Sequence, residues 1–130
     1  MKKQLILVIE DDLAISTLLE FMLQREGYEI LIAADGRIGE NLLNSLLKPP
    51  ALVLLDLTLP YIDGMKLLQK IRAKHLWANV PVMILTSSSL ECDIVRAFQQ
   101  GASDYIVKPF FPAEIMARVE RYTKQNLLKQ

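Results

Sequence analysis

Leu5-Ile6-Leu7-Val8-Ile9-Glu10-Asp11-Asp12 is five apolar residues running without a break into three acids. An apolar run that does not alternate with polar residues reads as a strand covered on both faces, as in parallel sheets. Ile15, Leu18, Leu19 and Met22 then fall at i, i+3, i+4, i+7, with Glu20, Gln24 and Arg25 on the other side, so a helix follows the strand directly. The unit recurs along the chain. Apolar runs at residues 28–33, 51–55, 80–85 and 105–107 read as further strands. Between and after them lie helical spacings: Leu42, Leu43, Leu46 and Leu47; Leu68 with Ile71; Ile94, Ala97 and Phe98; Ile115, Val119 and Tyr122. Asp12, Asp35 and Asp63 stand at N-cap positions, Ser88 and Glu91 have capping-box spacing, and Gly27 and Gly101 fit the positions that close the first and fourth helices.

Five strands alternating with five helices predict right-handed crossovers and a doubly wound parallel α/β sheet with helices on both faces. Residues 28–30 are mixed in polarity and suit an edge strand, and the inferred order is 2-1-3-4-5, the flavodoxin-like arrangement. The length of 130 residues fits one domain, read as residues 1–124 with 125–130 as a C-terminal tail or the start of a linker. A hydrophobic content of 52% with only 5 Gly and 6 Pro excludes disordered and collagen-like chains. Lys+Arg 15 against Asp+Glu 15 argues against binding nucleic acid or an anionic membrane by bulk electrostatics, which needs a basic stripe. The single cysteine, Cys92, forms no internal disulfide. The first apolar run is too short for a signal-peptide core or a membrane span, so the expected location is cytoplasmic.

In open α/β sheets the ligand site lies beyond the carboxyl ends of the strands, at the switch between the first and third. The first strand ends in Glu10-Asp11-Asp12, the third in Asp56, the fourth in Thr86-Ser87-Ser88 and the fifth in Lys108-Pro109. Three carboxylates at adjacent strand ends repel one another unless a hard divalent cation such as Mg²⁺ is held between them. Asp12 on its own is explained as a helix start. Asp56 is either the cap of a turn or a nucleophile, since carboxylates form acyl-phosphate intermediates. Thr86 offers a hydroxyl, Ser87 a backbone N–H and Lys108 a point charge for a phosphoryl group.

The segments Ile6 through Asp12, Leu54 through Gly64, Met83 through Ser87 and Gly101 through Phe110 resemble the receiver domain of two-component response regulators, in order and over nearly the whole chain. The resemblance implies that Asp56 accepts a phosphoryl group from a sensor histidine kinase or a histidine phosphotransfer protein. It implies that Glu10, Asp11, Asp56 and the backbone carbonyl of Thr58 hold Mg²⁺, with Mn²⁺ as a substitute. Lys108 is then the phosphate contact, its bond to Pro109 is expected to be cis, Thr86 is the switch hydroxyl and Tyr105 its aromatic partner. The readout is a shift in the face made by the fourth helix, fifth strand and fifth helix, which controls an output domain or partner. Such a protein is a signalling switch, not a turnover enzyme.

Several positions depart from the pattern or carry further expectations. Thr58 and Ser88 occupy two variable places that tune the lifetime of the acyl phosphate in the family, and neither is acidic or amide-bearing. Phe111 stands where a helix-capping serine is common. Arg96, Asp104 and Arg118 fall where the winged-helix class of regulators places ion pairs across a homodimer, with Ser103 and Gln100 in place of further acids. His75 and Trp77 lie in the loop before the fourth strand, at the far end from the site. A haloacid-dehalogenase-like phosphatase would need an acid at position 58, and a flavin carrier would need a hydroxyl-rich loop after the first strand in place of three acids.

Overall fold

The computed structural model describes residues 3–128, with side chains through Lys124. Its elements are β1 (Leu5–Ile9), α1 (Leu13–Arg25), β2 (Glu29–Ala33), α2 (Gly36–Ser45), β3 (Leu52–Leu55), α3 (Gly64–Ala73), β4 (Val82–Thr86), α4 (Glu91–Gln99), β5 (Asp104–Val107) and α5 (Pro112–Leu128). All strand pairs are parallel, in the order β2-β1-β3-β4-β5. This is the doubly wound flavodoxin-like sheet expected from the alternation of strands and helices.

The unbroken apolar strands follow from burial on two sides. Leu7, Ile9, Val53, Leu55, Val82 and Ile84 face the layer that holds Leu43, Leu67, Leu68, Ile71 and Ala97. Ile6, Val8, Leu52, Leu54, Met83 and Leu85 face Leu19, Leu23, Ile115 and Val119. β2 buries only Ile30 and Ala33 of its five residues, as an edge strand does. Asp12, Asp35 and Asp63 each accept N–H bonds as N-caps of α1, α2 and α3. Gly27 and Gly101 close α1 and α4 at φ of 94° and 102°, a conformation that side chains with a Cβ resist. Among the described residues no helix is long and apolar enough to cross a membrane.

Four local expectations differ. Ser88 and Glu91 do not form a capping box: α4 starts at Glu91 with Leu90 at the N-cap and no side-chain cap, and the Ser88 hydroxyl donates to Asp93 Oδ2 (2.6 Å). α2 ends at Ser45, so Leu46 and Leu47 leave the helix, and Leu47 is 93% exposed. Pro49 and Pro50 push the residues before them out of helical geometry. β4 begins at Val82 because Pro81 has no N–H for the ladder, and it takes in Thr86. His75 to Trp77 form a single 3-10 turn with Trp77 fully buried against the α3 side of the core. Arg72 clamps that turn: its guanidinium donates to the carbonyls of Trp77, Ala78, Val80 and Gly101.

Candidate functional site

The sheet ladder runs past the strands and fixes the backbone of the polar residues that follow them. The Glu10 N–H donates to the Ala33 carbonyl (3.0 Å), the Asp56 N–H to the Ile9 carbonyl (3.0 Å) and the Lys108 N–H to the Thr86 carbonyl (2.8 Å). Residues distant in sequence therefore leave the sheet at one edge. Glu10, Asp56 and Thr86 are buried there, and Asp11 is exposed. Carboxylate oxygens of Glu10, Asp11 and Asp56 all lie within 4.8 Å of one another. The Lys108 ammonium reaches over them, bonding to Glu10 Oε1 and to Asp56 Oδ2 (3.0 Å).

The β3–α3 loop turns tightly around Asp56. The Thr58 N–H donates to Asp56 Oδ1 (3.1 Å), and the Gly64 N–H donates to the Leu57 carbonyl (2.9 Å). A Cβ on Gly64 would stand 2.0 Å from the Asp56 carbonyl oxygen, so only glycine allows α3 to begin this close to the site. The Lys108–Pro109 peptide is cis, as the resemblance implied.

Burial raises the Glu10 carboxyl from 4.5 to about 7, helped by its hydrogen bond with Asp56 and opposed by Lys108. Burial pushes Asp56 upward too, but hydrogen bonds from Glu10, the Thr58 N–H and Lys108 outweigh it and hold Asp56 below the ordinary aspartate value. Lys108 is raised, because its bonds to Glu10 and Asp56 overcome the burial that would lower it. The site thus keeps Asp56 as the carboxylate and stores a proton most readily on Glu10.

A divalent cation fits these residues. Among the described residues Glu10 Oε2 is buried and no backbone, amine or hydroxyl donor reaches it, in a cluster of three carboxylates whose oxygens suit a hard ion. The Thr86 hydroxyl is likewise buried and unpartnered. Tyr105 is partly buried, and its hydroxyl donates to the Ser88 carbonyl (2.9 Å). Ser87 is exposed.

The remaining expected residues divide. Asp104 and Arg118 form a two-contact ion pair within the chain (2.8 and 2.8 Å). Arg96 stands apart from that pair, lining a cleft of about 210 Å³ with Leu57, Thr58, Asp63, Met65, Ser88 and Asp93. Phe111 is 77% exposed beside the site, and its carbonyl accepts from the Glu114 N–H at the start of α5. Sequence reasoning placed Gly64 directly after the capping Asp63 but gave it no role at the site, and it gave none to Tyr61, whose φ of 70° has no sequence signal.

Over residues 6–120 the chain matches the response regulator receiver domain family. It is 41% identical over 121 residues to the DNA-binding dual master transcriptional regulator RpaA of Synechocystis, and 37% identical over 121 residues to the alkaline phosphatase synthesis transcriptional regulatory protein PhoP of Bacillus subtilis. Each match covers 93% of this chain and 49% of the relative, so the chain spans about half the length of these curated relatives. Its fold is similar to the receiver domain of a sensor histidine kinase from Pseudomonas aeruginosa, crystallised with a magnesium ion in its active site cleft: TM-score 0.85, 32% identity, 95% of this chain and 99% of that one.

Proposed function

This chain belongs to the response regulator receiver domain family of two-component signalling, and from that premise we propose that it is a phosphoryl-accepting switch with Asp56 as the acceptor. The observation that carries the reading is the buried contact of Lys108 with both Glu10 and Asp56, which leaves Asp56 ionised at the mouth of the sheet. An Asp56 carboxylate oxygen attacks the phosphorus of a phosphohistidine on a kinase or phosphotransfer protein. The P–N bond breaks, its electron pair stays on the imidazole nitrogen, and a P–O bond forms to Asp56.

Glu10, Asp11, Asp56 and the Thr58 carbonyl would hold Mg²⁺, or Mn²⁺ in its place. The ion supplies positive charge to the oxygens of the transferring group. Lys108 contributes the second positive charge, and the Ser87 N–H and Thr86 hydroxyl are donors for phosphoryl oxygens. The unpartnered Thr86 hydroxyl gains a partner when Asp56 is phosphorylated. Its movement, with Tyr105, repacks the β4–α4 loop that the Tyr105–Ser88 bond now holds. The face of α4, β5 and α5 then reports the state to an output domain or a second copy, with Arg96, Asp104 and Arg118 as its charged residues.

The test is intact mass after incubation with acetyl phosphate and Mg²⁺. The wild type should gain one phosphoryl group and Asp56→Asn none; equal labelling of the two would show that Asp56 is not the acceptor.

A further inference from the structure

The Ile62 N–H donates to the Pro60 carbonyl (2.9 Å), an i to i+2 bond that makes Tyr61 the centre of a γ-turn with φ of 70°. A γ-turn with positive central φ is the rare, strained form, and a bulky residue there is an outlier where glycine would sit at ease. The fold requires the turn: the Pro60 carbonyl also accepts from the Gly36 N–H (3.2 Å), which ties the loop to the start of α2. It does not require the ring. Tyr61 is 73% exposed and belongs to neither core cluster. The Arg37 guanidinium lies 4.2 Å from the ring centroid, so one face of the ring is held and the rest is presented to solvent. Strain retained at an exposed residue five positions after the acceptor is what a recognition contact looks like.

Tyr61 has company at this edge. Leu13 (78% exposed), Leu90 (62%) and Phe111 (77%) follow β1, β4 and β5 as Tyr61 follows β3, so four strand ends each carry an exposed large apolar side chain beside the buried acids. A small anion gains nothing from such a rim, whereas a protein surface covering the site would bury it and exclude water.

We propose that Tyr61, set by its γ-turn and by Arg37, is a docking residue for a protein phosphoryl donor and a determinant of which donor is accepted. This rests on the acceptor reading above. Tyr61→Gly relieves the turn, and Tyr61→Phe keeps the ring over Arg37. Both are compared with wild type using acetyl phosphate and, separately, the autophosphorylated core of whichever histidine kinase of the source organism labels the wild type fastest. Losing an interface anchor predicts a fall of about tenfold or more in the rate from the kinase for Tyr61→Gly. Its acetyl phosphate rate and thermal midpoint should not fall, and Tyr61→Phe should stay near wild type. The inference is overturned if Tyr61→Gly takes phosphate from the kinase at the wild-type rate. A parallel loss with both donors would also overturn it, marking a structural role, as would a wild type labelled by acetyl phosphate but by no kinase. A wild type labelled by neither donor would instead remove the acceptor reading itself.

Discussion

Glu10 and Asp56 share one buried site yet are displaced in opposite directions, and stability against pH should record both. Burial, with the Asp56 bond, lifts Glu10 from 4.5 to about 7, so the folded metal-free protein holds that proton more tightly than the unfolded chain. Its contribution is present below about 4.5 and is lost as pH rises through about 7. Asp56 is held low, so its contribution is present above the ordinary aspartate value and is lost as pH falls through the lowered one. Glu10→Gln should therefore match the wild type near pH 4.5 and exceed it above pH 7, by something on the order of 3 kcal/mol for a displacement from 4.5 to about 7 at about 1.4 kcal/mol per pH unit. Urea midpoints of metal-free protein across pH 4–8 check this; a gap that does not widen with pH would show that Glu10 is not the proton store. Glu10, Asp56, Thr86 and Lys108 were legible in sequence because each ends or directly follows an apolar run. Tyr61 was not legible, since nothing in its neighbours announces a γ-turn.

At the level of elements, the β3–α3 connection is the most constrained. Its ends are fixed by the Asp56 ladder bond and by the Asp63 cap of α3, and Gly64 lies against the Asp56 carbonyl. In Gly64→Ala the new Cβ meets rigid backbone, so the loop must shift, at a cost of about 2 kcal/mol or more by analogy with overpacked interiors. Denaturant midpoints should show that loss, and acetyl phosphate labelling should fall with it because Asp56 moves; a variant with wild-type stability and labelling would show that the loop yields freely. Helices α1 and α3 could be read from periodicity and caps, and α5 from periodicity alone. The start of α4 could not: Ser88 and Glu91 have the spacing of a capping box, but the Ser88 hydroxyl is drawn to Asp93 and its carbonyl to Tyr105. Local spacing offered a partner, and tertiary contacts supplied different ones.

For the whole molecule, equal numbers of acids and bases conceal an acidic edge of Glu10, Asp11 and Asp56 bridged by the ammonium of Lys108. Mg²⁺ should accordingly stabilise the folded protein, by about 1.4 kcal/mol at ten times its dissociation constant. Because an ion held as proposed by Glu10 would displace its proton, the rise in thermal midpoint should be larger at pH 8 than at pH 6 and should vanish on chelation. Differential scanning fluorimetry across this pH range is the measurement; an Mg²⁺ effect equal at both pH values would separate metal binding from Glu10.

The sequence by itself determined the class of fold, the strand order and the identity of the acidic, hydroxyl and lysine groups at one sheet edge. Hydrophobic periodicity and strand-end position are local properties and can be read locally. Only the tertiary structure decided that Lys108 bridges Glu10, 98 residues away, and Asp56, 52 residues away. It alone decided that, among the described residues, Glu10 Oε2 is buried with no backbone, amine or hydroxyl donor and the Thr86 hydroxyl without a partner, and that Tyr61 is held strained and exposed at the rim. Those outcomes depend on register across the sheet and on how loops from different crossovers meet, which no window of neighbouring residues contains.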